Sequence, residues 1–203
     1  GKLVEAGFDA NKIVVIPNSV DVISNTSFLQ GDYVAYLGRV SYEKGFDLLL
    51  EVARRMPNVE FRFAGAQRDK VMDQLPSNVK MMGYLSGEVL QRFIGNSRFV
   101  VIPSRCYEGF PMVVLETAQQ MKSVIAPNHG GFTEIVGSGS DAIGRLFQSG
   151  SIDSLEHQVR ELWDNPQLCE ELGRKAFLKL RQTYATDRVA VQWESLLSFF
   201  NSP

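Results

Sequence analysis

The sequence predicts an α/β domain: a doubly wound parallel sheet of about six strands followed by a helical tail. Three observations predict it. Six short strand-forming runs, built on Val, Ile, Phe, Tyr, Leu and Met, recur between residues 33 and 147. Turns at Gly38, Gly65, Gly83, Pro103 and Asn128 to Gly131 follow them. The stretches between most of them carry apolar residues at helical spacing. This alternation means parallel strands with helices on both faces.

The elements follow in order. Lys2-Leu-Val-Glu-Ala-Gly7 reads as the last turns of a helix ending at Gly7, and the chain lacks an initiator Met. Ile13 to Ile16 is β-branched and reads as a strand. A polar linker runs to Asp32. Tyr33 to Leu37 is the first sheet strand, and Phe46, Leu49, Leu50 and Ala53 give a helix to about Arg55. Val59 to Phe63 is the second strand, with a polar helix expected over Arg68 to Leu75. Val79 to Met82 is the third. Ser86 is placed to cap a helix whose apolar face is Val89, Leu90, Phe93 and Ile94. Phe99 to Ile102 is the fourth strand, and its unbroken apolar character predicts burial on both faces. A helix from Pro111 to about Gln120 follows, since Pro suits a first helical turn. Ser123 to Ala126 is the fifth strand, Gly130-Gly131 opens a short helix, and Gly144 to Phe147 is the sixth strand. About six strands fit a Rossmann-like sheet, whose ligands bind at the carboxyl ends of the strands. From Ser151 the chain is helical. One face carries Ile152, Leu155, Val159 and Leu162. A second helix starts at Pro166, with Leu168, Leu172 and Ala176. A third, capped by Thr186, carries Val189, Trp193, Leu196, Leu197 and Phe200. That last stripe must pack on something.

Composition excludes several classes. The 203 residues are 44% hydrophobic and 22% charged, with a net charge of −2. No polyanion-binding surface is advertised, so nucleic acid is not an expected partner. No apolar run approaches the roughly 20 residues of a membrane span, and the N-terminus lacks the apolar core of a secretory signal. Cys106 and Cys169 match no metal or redox spacing and fit a reducing compartment. No Asp-x-Asp pair occurs, so no metal is expected. His129 and His157 read as solvated, Cys106 as a structural thiol, and Trp163 and Trp193 as packing residues.

The chemistry concentrates at Pro103-Ser-Arg-Cys-Tyr-Glu108-Gly109-Phe110-Pro-Met112-Val113-Val-Leu-Glu116. Glu108 falls in the loop after a buried strand and Glu116 over a turn into the next helix. The free N–H groups of Met112 and Val113 between them make an anion site. Two carboxylates flanking such a site suit a ligand with phosphate in the middle and hydroxyls at both ends, as in a nucleotide sugar. Arg39 and Lys44 bracket another helix start at the ligand edge. An Arg fork and a Lys point charge together balance a diphosphate.

Four motifs in this order resemble the C-terminal domain of family 4 retaining glycosyltransferases, the glycosyl transferases group 1 domain of the GT-B fold. They are Val15-Ile-Pro-Asn-Ser-Val-Asp21, Gly38-Arg39 to Lys44-Gly45, Pro103-Ser104 to Glu116, and Gly130-Gly131-Phe-Thr-Glu134-Ile-Val136. The resemblance implies roles. Gly38, Arg39 and Lys44 hold the donor diphosphate, and Glu116 takes the ribose hydroxyls. Glu108 takes the hydroxyls of the transferred sugar, which places Arg39, Lys44 and Glu108 in the catalytic set. Backbone at Gly109, Phe110, Met112 and Val113, with the Gly130-Gly131 turn, meets phosphate or sugar, and Tyr84, Leu85 and Ser86 grip the nucleobase. It further implies a nucleotide-sugar donor, no cofactor and a cytoplasmic location, with peripheral association at the membrane face compatible. The acceptor would bind through an N-terminal domain, so the fragment alone would bind nucleotide without transfer. Residues 1–30 then read as a remnant of that domain and its linker, 31–150 as the donor domain, and 151–203 as helices whose last member contacts the absent half. Departures are Ser19, where the family usually has Gly, and Met121 and Ser123, where it has Gly and Pro. The competing readings are half of a nucleotide-sugar 2-epimerase and a non-catalytic nucleotide-binding module.

Overall fold

The computed structural model describes residues 2–23, 27–68 and 75–200. All six sheet strands form: β1 Tyr33–Leu37, β2 Glu60–Ala64, β3 Val79–Gly83, β4 Phe99–Val101, β5 Val124–Pro127 and β6 Gly144–Phe147. They run parallel in the order β3-β2-β1-β4-β5-β6. The expected bounds hold within a residue or two, the usual fraying of element ends.

Strand β1 shows why the central runs are apolar throughout. Val34 and Tyr36 belong to one buried cluster. Tyr33, Ala35 and Leu37 belong to the other, on the opposite face. Side chains alternate across a strand, so a strand covered on both faces must be apolar at every position. The first layer is closed by α2 (Phe46–Arg55) and α6 (Ile152–Asp164) through Leu49, Val52, Leu155, Val159 and Leu162. The second is closed by α3 (Gly87–Gly95), α4 (Met112–Gln119), α5 (Gly131–Val136) and part of α7 (Pro166–Lys179).

Several local expectations need correction. Ile13 to Ile16 forms no strand: Ile13 is extended, but no ladder forms there among the described residues and Val14 and Val15 are exposed. β propensity supplied the extended backbone without a partner to pair it. Pro111 is the residue before α4, not its first helical residue, with ψ 96°. Ser86 stands at the N-cap of α3 but its hydroxyl makes no capping bond, and Val89 faces solvent. Trp193 is exposed, not packed. Thr186 does not cap the last helix, α8 (Thr186–Phe200), from outside: it is the helix's first residue, and its hydroxyl donates to Asp21 at 2.7 Å. The polar helix expected over Arg68 to Leu75 falls almost wholly outside the described residues.

The short turn α1 (Lys2–Glu5) closes at Gly7, as the sequence suggests, with the Gly7 N–H donating to Val4 at 3.0 Å. Val20 bridges to Ala185. Its N–H donates to Tyr184 at 3.0 Å and its carbonyl accepts from Thr186 at 3.2 Å. Gln119 donates to the Asp21 carbonyl at 2.6 Å. The stripe on α8 divides: Val189 is buried, while Trp193 and Leu197 are exposed. Among the described residues no helix is long and apolar enough to cross a membrane.

Of the departures from the family pattern, Met121 in the turn before β5 has a structural counterpart and Ser19 does not. Met121 has φ 52°, the only non-glycine residue with positive φ among those described, which explains why Gly suits this place. Ser19 does not adopt positive φ, so no glycine is required there. Next to Met121, Lys122 is almost fully buried. Its ammonium donates to the Leu29 carbonyl and sits 4.8 Å from the Phe28 ring centroid.

Candidate functional site

The strand order reverses between β1 and β4, and the crevice outside that reversal is where open sheets of this kind bind ligands. The turns after β1, β2 and β3 and the start of α4 converge there. A cavity of about 370 Å³ is lined by Gly38, Arg39, Gly65, Tyr84, Val113 and Glu116, among others. Six of the residues singled out from sequence therefore meet in one place: Gly38, Arg39, Tyr84, Leu85, Val113 and Glu116. Close packing of backbone builds it. The Gly65 N–H donates to Gly83 at 2.8 Å and the Gly38 N–H to Ala64 at 3.2 Å. A Cβ at Gly65 would strike the Gly38 carbonyl. Tyr84 is 75% exposed at the rim and offers a flat aromatic face. Ser86 is exposed just beyond, at the start of α3.

On the other side of the α4 start lies a second cavity of about 500 Å³. Glu108, Gly109, Gly130 and Gly131 line it with Tyr107 and Glu134, and the N-terminal residues Leu3, Val4, Ile13 and Val15 form its apolar wall. The two carboxylates are thus separated as the sequence suggested, one in each cavity. Between them, the N–H groups of Met112 and Val113 have no acceptor among the described residues, as the first turn of a helix dictates. Phe110 is half-buried and packs edge-on against Tyr184 at 5.7 Å.

The electrostatics are specific. Lys44 is bonded to Glu108. Arg39 pairs with Glu43 at 2.6 Å. The Glu116 residue is open to solvent overall, yet atoms packed around its carboxyl desolvate it and raise it above the ordinary carboxylate range. Desolvation is the whole cause at Glu116.

Gly131 does not present its N–H to the cavity. It donates to the Glu108 carbonyl at 2.7 Å, and a Cβ there would strike the Gly109 carbonyl. The turn before α5 thus clamps the loop that carries Glu108. His129 belongs to this clamp and is not the solvated residue the sequence suggested. It is half-buried, its Nε2 lies 3.0 Å from the Cys106 carbonyl, and its ring stacks on Tyr107 at 5.8 Å.

Sequence reasoning missed three supporting groups. The Tyr36 hydroxyl donates to the Arg39 carbonyl at 2.6 Å and pins the turn after β1 from beneath. Arg105 pairs with both oxygens of Asp47, at 2.7 and 2.8 Å, and its N–H donates to Glu43 at 2.9 Å. That joins the loop after β1 to the loop after β4. Leu90 of α3 helps close the first cavity. Arg105 lies inside the motif already quoted, and its polarity beside a buried strand was the available signal. A third cavity of about 390 Å³, lined by Leu29, Glu88, Arg92, Asn96 and Gln120 among others, lies by the α3–β4 turn, away from the carboxyl edge. Among the described residues no group of three or more His, Cys, Asp or Glu is arranged to hold a metal ion.

A poly(ribitol-phosphate) α-N-acetylglucosaminyltransferase of Staphylococcus aureus is 27% identical over 212 residues, covering 96% of this chain and 41% of that protein. An uncharacterized glycosyltransferase of Methanocaldococcus jannaschii is 29% identical over 173 residues, covering 80% of this chain and 47% of that one. The chain thus spans somewhat under half the length of these relatives. Among solved structures, Anabaena HepE in complex with UDP superposes with a TM-score of 0.84 at 20% identity, covering 96% of this chain and 60% of that one. The TarM structure superposes with a TM-score of 0.77 at 24% identity, covering 99% and 41%. These neighbours share its fold, the Rossmann-like half of a GT-B architecture. The family model for glycosyl transferases group 1 matches residues 20–179, and the chain belongs to that family.

Proposed function

We propose that the chain is the donor-binding half of a retaining glycosyltransferase that moves a sugar from a nucleotide diphosphate to an acceptor. One observation carries the reading: Glu116 and Glu108 open into separate cavities on either side of the α4 start. A nucleotide sugar laid across that start puts nucleoside at Glu116, diphosphate over the free N–H groups and sugar at Glu108. Tyr84 to Ser86 receive the nucleobase, and Glu116 accepts from ribose hydroxyls. Arg39 and Lys44 meet the diphosphate. As the sugar–phosphate bond breaks, negative charge grows on the leaving diphosphate, and fixed cations and N–H groups aimed there lower the barrier. Charge compensation falls to Arg39, Lys44 and the helix N-terminus, so the donor needs no metal. Among the neighbours, HepE was crystallised with UDP-glucose and TarM with UDP, which supports a sugar nucleotide as the ligand class. The acceptor binds to chain outside these 203 residues, so this domain binds donor without transferring sugar.

A thermal-shift screen against UDP-, GDP- and ADP-sugars tests the reading, since a ligand stabilises the fold in proportion to its occupancy. At least one is expected to raise the midpoint, and Arg39→Ala and Glu116→Ala are expected to abolish the shift. Binding that survives both substitutions unchanged defeats the site assignment, and sugar transfer by the purified domain defeats the division of labour.

A further inference from the structure

We infer that the Lys44–Glu108 ion pair makes this site discriminate between a sugar-bearing nucleotide diphosphate and the bare nucleoside diphosphate. The inference rests on the donor-binding reading above and deepens it. Lys44 Nζ is bonded to Glu108 Oε1, and both side chains are about three-quarters covered, with 21% and 27% of their surfaces exposed. The two groups assigned to neighbouring parts of one ligand therefore hold each other.

The backbones behind them are fixed. The Glu108 carbonyl accepts from Gly131 at 2.7 Å, and the Lys44 N–H donates to Ser41 at 3.0 Å. The two loops are joined by the Arg105 N–H to Glu43 and by the two-pronged Arg105–Asp47 pair. A ligand can then rearrange only the side chains. A diphosphate that recruits Lys44 draws the ammonium away from Glu108 and leaves a part-buried carboxylate without its cation, which is costly. Sugar hydroxyls donating to Glu108 offset that loss. A bare nucleoside diphosphate has no such hydroxyls, so it must compete with Glu108 for Lys44. In transfer the bare form is the product, and the same competition speeds its departure. The Arg39–Glu43 pair differs: it is 40% and 49% exposed, solvent screens it, and Glu43 faces no sugar in this reading.

The test is a double-mutant cycle by calorimetry on the 203-residue chain, with wild type, Glu108→Gln, Lys44→Ala and the double variant. The probes are UDP, GDP and ADP with UDP-glucose, GDP-mannose and ADP-glucose. Glu108→Gln keeps the shape of the side chain while discharging it. For the base that wild type binds, Glu108→Gln is expected to bind the bare diphosphate about threefold to tenfold tighter, the span of a partly covered ion pair. In the Lys44→Ala background the same change is expected to matter by less than about twofold, because the partner is gone. A Glu108→Gln variant that binds the bare diphosphate equally or more weakly overturns the inference. So does an equal gain in both backgrounds, which signals general charge removal. Wild type that binds none of the six probes removes the donor-binding reading, and the inference with it.

Discussion

Lys122 makes the sharpest test of the energetics of this fold. It is 1% exposed, and burial brings its ammonium down to about 8 from 10.5. The Leu29 carbonyl and the Phe28 ring stabilise the charge only in part. Below pH 8 the lysine is protonated in both the folded and unfolded chains, and the folded chain carries the full desolvation cost. Above pH 10.5 it is neutral in both, and the cost is gone. A shift from 10.5 to about 8, at about 1.4 kcal/mol per pH unit, gives about 3 kcal/mol. Stability owed to this residue therefore rises by about that much from pH 8 to 10.5. Cys169 opposes it: burial pushes its thiol up to about 11 from 9.0, so its contribution falls as pH rises above 9. The remedy is a difference measurement. Urea unfolding of wild type and Lys122→Met at half-unit steps from pH 7 to 10.5 cancels the part of the Cys169 effect that burial causes and leaves only its smaller coupling to Lys122. The wild type should gain on the variant from about pH 8 to 10.5 and run parallel to it below. Curves parallel through the whole window, with a constant gap, would refute the reasoning and show that the buried ammonium is already fully compensated.

Three further outcomes are expected. Glu116→Ala should weaken nucleoside and nucleotide alike by about 1–3 kcal/mol, the worth of hydrogen bonds to a charged group, whereas Lys44→Ala should weaken only phosphorylated ligands; calorimetry with uridine and UDP separates them. Because desolvation raises the Glu116 carboxyl and ribose hydroxyls need its charged form, nucleotide affinity should fall on acidification at a pH above the ordinary carboxylate value near 4.3, and Glu116→Gln should flatten that dependence. Gly131→Ala should cost about 1–3 kcal/mol of stability in chemical denaturation, through the clash with Gly109 and the lost bond to Glu108. It should weaken sugar-bearing ligands more than nucleosides.

The centre of the sheet was legible because β1, β4 and β5 are buried on both faces and so spell themselves as unbroken apolar runs; β2, β3 and β6 carry a charged residue each or more and were read from their β-forming neighbours and closing turns. Tyr33 to Leu37 and Phe99 to Val101 could hardly be anything else. Of the candidate site, the residues whose type the proposed chemistry requires, Glu108, Glu116, Arg39 and Lys44, could be picked out in advance. What escaped depends on long-range geometry. Ile13 to Ile16 has the composition of a strand, but pairing is a property of neighbours, and none lies beside it. Thr186 looks like a cap until Asp21, 165 residues away in sequence, takes its hydroxyl. His129 looks solvated because its partners, Tyr107 and the Cys106 carbonyl, come from a different loop. The Lys44–Glu108 bond joins residues that sequence had assigned separately to phosphate and to sugar.

The staple at Val20–Asp21 and Tyr184–Thr186 has a mechanical meaning. There the chain enters the sheet domain and leaves it for α8 at the same point, tied by two backbone bonds and one side-chain bond. Gln119, at the end of the helix that starts between Glu108 and Glu116, holds the same spot. The segment before Val20, which walls the cavity that Glu108 lines, and α8, with its exposed Trp193 and Leu197, therefore share one anchor point. Both arms meet at this pin, and α4 runs from it back to the two carboxylates.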